Sequence, residues 1–120
     1  MAKKRVLIVE DEAIVAFDLK LLLESFGFEV IAILTDGGEA VSYSLVNEPD
    51  LIMMDVFLSD KVSGIEAVRE IRKSVGSPVV YISASTDPET YAMAETTDFV
   101  GFITKPYSET DIAKIVKAFL

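Results

Sequence analysis

The chain has no cysteine among its 120 residues. That absence excludes a disulfide, a thiolate nucleophile and a zinc–thiolate site. It also has no histidine, which removes the commonest general base and the commonest metal ligand. Any metal site must therefore be built from oxygen, and oxygen ligands favour a hard cation such as Mg2+. No uncharged apolar stretch is long enough to span a bilayer, so no membrane partner is expected. The start, Met1-Ala2-Lys3-Lys4-Arg5, is basic. The apolar run behind it is too short for a signal peptide and meets Glu10, so a cytoplasmic location is expected. Positive charge is scarce: 11 Lys and Arg stand against 20 Asp and Glu, for a net charge of −9. Such a surface repels a phosphate backbone, and no nucleic-acid partner is expected. Lys3-Lys4-Arg5 reads as a solvated lead-in to a strand.

What is present is apolar and regularly punctuated. Hydrophobic residues make up 51% of the chain, enough for a real core in one domain covering residues 1–120. No repeat, low-complexity tract or linker interrupts it. Short apolar runs alternate with amphipathic segments, the signature of a parallel sheet covered on both faces. The runs Val6 to Val9 (β1), Glu29 to Leu34 (β2), Leu51 to Met54 (β3), Val79 to Ile82 (β4) and Gly101 to Thr104 (β5) read as strands. Between and after them the pattern predicts five helices. Glu12 to Phe26 (α1) is closed by Gly27. Glu39 to Asn47 (α2) follows a turn at Thr35-Asp36-Gly37-Gly38 and ends before Pro49. The next (α3) follows Gly64, with Ile65, Val68, Ile71 and Val75 at helical spacing. The fourth (α4) starts from Asp87-Pro88 as N-cap and first residue. The last (α5) starts at Ser108, with Asp111 at capping-box spacing. Five such units fit an α/β fold, the flavodoxin-like doubly wound five-stranded parallel sheet of order 2-1-3-4-5 with five helices.

Four of the runs end in reactive residues. β1 runs into Glu10-Asp11, β3 into Asp55, β4 into Ser83, and β5 into Lys105-Pro106. In the 2-1-3-4-5 order the switch point lies between β1 and β3, so the fold places a ligand where the acids stand. Two unit charges ~4 Å apart repel by ~4 kcal/mol at an effective dielectric of 20. Glu10, Asp11 and Asp55 thus require cations, which Lys105 and a bound Mg2+ supply. Such a site suits a phosphoryl group: an ionised Asp as nucleophile, Lys105 and the metal offsetting charge, and Ser83 donating to a phosphoryl oxygen. Taken one at a time, these residues have ordinary readings as a helix N-terminus, a turn acid, a strand cap and a surface lysine. Their joint order favours the functional one.

The pieces VLIVEDE, LIMMDVFL, VVYISAS and GFITKPY, spread over nearly the whole chain, resemble the receiver domain of the two-component response-regulator family. The resemblance implies a phosphorelay role. Asp55 is similar to the aspartate that takes a phosphoryl group from a phosphohistidine, on a sensor histidine kinase or a histidine phosphotransfer protein. Asp11 resembles the direct metal ligand, with Glu10 acting through water and the Phe57 backbone carbonyl as a further ligand. Ser83 stands where the family has the hydroxyl that follows the phosphate, and Lys105 where it has the phosphate-pairing lysine. Pro106 would follow a cis Lys-Pro bond, and Phe102 falls at the aromatic switch position. Phe57 and Ser85 occupy positions that tune phosphoryl lifetime, and the bulk of Phe57 predicts slow self-dephosphorylation. The face that changes would be α4-β5-α5, with a homodimer through it. A receiver of this kind catalyses only its own aspartyl phosphorylation and dephosphorylation.

Two segments depart from the commonest pattern of that family. Asp55 to Gly64 is one residue longer and lacks the usual proline, and Thr97-Asp98-Phe99 replaces Gly-Ala before β5. Both resemble receivers of sensory hybrid proteins. In α1, Ala13-Ile14-Val15-Ala16-Phe17 is apolar nearly all round and predicts exposed apolar surface, either for docking the histidine-bearing partner or for ordinary packing. The thin apolar face of α4 around Tyr91-Ala92-Met93-Ala94 makes it the expected mobile element. Full switching takes ~5.5 kcal/mol, while one charged hydrogen bond from Ser83 supplies only ~1.5–3 kcal/mol, so a leaky switch is expected. Rival functions fare worse. An Asp-nucleophile phosphatase wants a second Asp where Phe57 stands. A flavodoxin-type binder wants a phosphate-cradling loop where Glu10-Asp11-Glu12 would repel phosphate. A non-phosphorylated interaction module on the same fold would have no use for the retained reactive groups.

Overall fold

The computed structural model describes residues 2–58 and 62–119. Five strands, β1 (Arg5–Val9), β2 (Glu29–Leu34), β3 (Leu51–Asp55), β4 (Val79–Ser83) and β5 (Gly101–Thr104), form one sheet in the order β2-β1-β3-β4-β5. Every neighbouring pair is parallel. The helices are α1 (Ala13–Ser25), α2 (Gly37–Asn47), α3 (Gly64–Ile71), α4 (Pro88–Glu95) and α5 (Glu109–Val116), the last continued by a 3-10 turn at Lys117–Phe119. This is the flavodoxin-like arrangement expected from the alternating pattern.

Side chains alternate across a strand, so a strand covered on both faces must be apolar throughout. Leu7, Val9, Ile52, Met54, Val79 and Tyr81 face one core, with Ala40 of α2, Ile65 and Val68 of α3 and Ala94 of α4. Val6, Ile8, Met53, Val80 and Ile82 face the other, with Leu19 and Leu23 of α1 and Ile112 and Val116 of α5. The central strands are thus buried on both sides, and their polar groups are left at the C-terminal ends.

Local chemistry sets the helix ends. Gly27 takes φ 103° after α1, a conformation L side chains resist. Asp87 caps α4 by accepting from Glu89 N–H at 3.0 Å, with Pro88 in the first turn. Ser108 and Asp111 form a reciprocal capping box. Some boundaries differ from expectation. α2 begins at Gly37, not Glu39, because Asp36 accepts from Glu39 N–H at 2.7 Å and draws both glycines into the first turn. A Cβ on Gly37 would stand 2.8 Å from the Val62 carbonyl oxygen, so this glycine serves close packing. α1 begins at Ala13 with Glu12 as its N-cap. α3 ends at Ile71, and Val75 joins the same core from beyond the helix. The residues Ser59, Asp60 and Lys61 of the long β3-α3 loop lie outside the described residues.

Two surface expectations are met. Ile14, Phe17 and Leu21 of α1 are 86%, 57% and 53% exposed. In α4 Ala94 is buried, while Tyr91 and Met93 are exposed. Among the described residues no helix is long and apolar enough to cross a membrane.

Candidate functional site

Parallel strands point the same way, so residues distant in sequence meet at one edge of the sheet. The ladder carries β1 one bond further, with Glu10 N–H donating to the Leu34 carbonyl at 2.9 Å. Asp55 is the last residue of β3 and Ser83 the last of β4. Lys105 follows β5 and is tied back by its N–H to the Ser83 carbonyl at 2.7 Å. Its peptide bond to Pro106 is cis, as expected.

Glu10, Asp11 and Asp55 each offer a carboxylate oxygen, and these oxygens lie within 4.8 Å of one another. Glu10 and Asp55 are buried. Lys105 Nζ stands 2.9 Å from Glu10 Oε1, 3.1 Å from Glu12 Oε1 and 3.4 Å from Asp55 Oδ2. Phe57 N–H donates to Asp55 Oδ1 at 3.1 Å, and Glu12 N–H donates to Glu10 Oε2 at 3.1 Å. Glu10 Oε1 is buried without an aligned hydrogen bond, so its contact with Lys105 is one of charge.

The electrostatics follow from burial and crowding. Burial, then the adjacent Glu10 carboxyl, pushes Asp55 up to about 7, against the pull of Lys105 and the Phe57 N–H. Burial works against the Lys105 ammonium, but Glu10, Glu12 and Asp55 outweigh it and hold its pKa above the usual lysine value. An all-oxygen set of converging carboxylates, two of them buried, fits a hard divalent cation.

The remaining residues of the expected site are arranged around this centre. Ser83 is buried, and its hydroxyl is engaged with Ser85: it donates to the Ser85 carbonyl and accepts from the Ser85 N–H, both at 3.1 Å. Ser85 Oγ in turn accepts from Asp87 N–H at 3.0 Å, which links the strand end to the α4 cap. Phe57 is half exposed. Phe102 is partly buried in an aromatic cluster, 5.1 Å from Tyr91, 5.7 Å from Phe99 and 6.1 Å from Tyr81 between ring centroids. Sequence reasoning singled out Phe102 but did not group it with Tyr81, Tyr91 and Phe99. It also treated Glu12 as part of a helix start, whereas Glu12 reaches Lys105. A further contact, Tyr107 O–H donating to Asp18 Oδ2 at 2.9 Å, ties the loop after β5 to α1.

The family profile of the response regulator receiver domain matches residues 6–117. The chain belongs to this family. Receiver domains are signalling domains. This receiver domain is 32% identical over 114 residues to the transcriptional regulatory protein PdtaR of Mycobacterium tuberculosis, covering 95% of this chain and 55% of that protein. It is 33% identical over 116 residues to the phyllosphere-induced regulator PhyR of Methylorubrum extorquens, covering 96% of this chain and 43% of that protein. The chain thus spans about half the length of these curated relatives. Among solved structures it resembles the receiver domain of the sensor histidine kinase PA1611 of Pseudomonas aeruginosa PAO1, solved with magnesium in its active-site cleft. That likeness has a TM-score of 0.87, 24% identity and 98% coverage of each chain, and it concerns the fold.

Proposed function

We propose that this receiver domain is a phosphoacceptor switch in which Asp55 takes a phosphoryl group from a phosphohistidine on a sensor histidine kinase or a phosphotransfer protein. The observation that carries this reading is the placement of Asp55, buried at a strand end, with Lys105 Nζ 3.4 Å away and the Glu10 and Asp11 carboxylates beside it. An Asp55 oxygen attacks phosphorus, the P–N bond breaks, and the imidazole leaves with its electron pair. Lys105 pairs with the transferring oxygens, and Ser83 turns from Ser85 to donate to one of them. Asp11, Asp55 and the Phe57 carbonyl would hold Mg2+, with Glu10 acting through water. When bound, this ion offsets negative charge on the phosphoryl oxygens.

The bond that Ser83 breaks connects the site to output. Ser83 holds Ser85, and Ser85 holds the Asp87 end of α4. Reorienting Ser83 releases that chain, Phe102 moves inward by packing, and the α4-β5-α5 face changes and can pair two copies. Phe57 and Ser85 set how long the phosphoryl group lasts. The exposed Ile14, Phe17 and Leu21, on the helix that starts at the site, support α1 as the docking face for the histidine-bearing partner. The 120 residues act as one unit in the cytoplasm, and the net charge of −9 favours a protein partner over nucleic acid.

Incubation with acetyl phosphate and Mg2+, followed by intact-mass measurement, tests the reading. One added phosphoryl group is expected, lost in Asp55→Asn and in excess chelator. No mass gain in the parent protein from either acetyl phosphate or phosphoramidate would overturn it and favour an interaction module without phosphorylation.

A further inference from the structure

Glu12 occupies the N-cap of α1 with extended backbone. Short polar side chains suit this position because they accept from first-turn N–H groups. Glu12 makes no such bond. Its carboxylate crosses the mouth of the site to Lys105 Nζ at 3.1 Å, joining residues 93 positions apart. Its side chain is 64% exposed, against 1% for Glu10 and 3% for Asp55. Glu12 is therefore the outer carboxylate on an ammonium whose inner side faces Glu10 and Asp55.

From this geometry we infer that Glu12 selects the phosphoryl donor by charge, disfavouring dianionic acyl phosphates relative to less charged P–N donors. The inference rests on the phosphoacceptor reading of Asp55. Glu10, Glu12 and Asp55 contact one ammonium, and Asp11 adds a fourth carboxylate beside Glu10 and Asp55. Lys105 and a divalent cation leave that group net negative, and the uncompensated charge lies outermost, where a donor enters. Acetyl phosphate brings two negative charges past Glu12, and phosphoramidate about one. With acetyl phosphate the Asp55–phosphorus bond forms, the P–O bond to the acyl group breaks and acetate leaves. With phosphoramidate the P–N bond breaks and ammonia leaves. A unit charge ~6 Å away in a water-like medium changes an affinity about threefold for each donor charge. The penalty therefore falls mainly on the dianion.

The test compares the parent, Glu12→Gln and Glu12→Asp. Phosphoryl uptake is followed by intact mass at saturating Mg2+ with each donor, and Mg2+ binding is measured by calorimetry without donor. Glu12→Gln is expected to lower the half-saturating acetyl phosphate concentration by about tenfold, and that of phosphoramidate by about threefold. The same variant should weaken Mg2+ binding severalfold, because a cation loses the attraction that an anion escapes. Glu12→Asp keeps the charge and should keep the parent's donor preference and metal affinity. A folding defect cannot move the two affinities in opposite directions. An unchanged donor ratio in Glu12→Gln, or joint loss of donor and metal affinity, overturns the inference while leaving the phosphoacceptor reading in place. Absence of uptake by the parent from both donors overturns the two together.

Discussion

Gly64 lies so close to Asp55 that a Cβ on it would stand 2.0 Å from the Asp55 carbonyl oxygen. The first residue of α3 is thus in contact with the backbone of the central acid, and its N–H donates to the Val56 carbonyl at 3.0 Å. Gly64→Ala must push α3 away from β3. It is predicted to cost about 2–4 kcal/mol in urea denaturation, in the range of core overpacking with backbone displacement. Phosphoryl uptake should slow with it, since Asp55 shifts. A variant with parental stability would show that the approach is relaxed at no cost.

The raised pKa of Asp55 makes stability depend on pH. Without metal the folded carboxyl keeps its proton up to about pH 7, while the unfolded one releases it near 3.8. The folded chain therefore binds more protons between those values, and this group's contribution to stability falls as pH rises through that window. In chelator at pH 8, Asp55→Asn is predicted to be more stable than the parent by on the order of a few kcal/mol. The advantage should vanish near pH 4, and Mg2+ should narrow it at pH 8. Urea midpoints at both pH values check this; a parent that is the more stable at pH 8 in chelator contradicts it.

The aromatic cluster over β4 and β5 should govern the motion of α4. Tyr91 meets both Phe99 and Phe102, at 5.6 and 5.1 Å between ring centroids. Tyr91→Ala removes that clasp. Relaxation dispersion on the metal-free, unphosphorylated protein is predicted to show exchange around residues 84–95 and in β5, stronger in Tyr91→Ala. Flat profiles in both proteins would contradict the leaky switch.

Beneath that cluster, Tyr81 O–H and Thr97 Oγ1 are hydrogen-bonded at 2.7 Å in the core. Thr97 keeps a second bond to the Ala94 carbonyl at 2.6 Å. Tyr81→Phe therefore leaves no hydroxyl stranded and should cost only about 1 kcal/mol. A loss of 3 kcal/mol or more would mean that the bond anchors the C-terminal end of α4.

Phe57 is half exposed, and its N–H binds the Asp55 carboxyl. It should hinder the water that attacks the phosphorylated form. Self-dephosphorylation with Mg2+ at neutral pH is predicted to be slow, and Phe57→Ala to shorten the lifetime. Loss of the phosphoryl group within seconds in the parent would contradict this.

Much of this was legible beforehand. Strands buried on both faces must be continuously apolar, so the runs and the reactive residue after each could be read directly. Asp87-Pro88 and Ser108 with Asp111 are local cap signals, and local signals survive folding. Gly37-Gly38 misled because two glycines usually mark a turn; here the Asp36 cap and the nearby Val62 carbonyl make them helical. Glu12 could not be assigned from its neighbours, since an acid at a helix start already has a local explanation in the helix dipole.

The sequence by itself determined the α/β order of elements and the identity of the groups at the strand ends, because both depend on short-range pattern. It also settled that any metal site would be all oxygen, because no cysteine or histidine is present. Only the tertiary structure decided which carboxylates share Lys105, that the Ser83 hydroxyl is engaged with Ser85, and that Gly64 lies against Asp55. Those relations join residues brought together by parallel pairing and helix packing, where ångström distances set both charge interactions and steric fit.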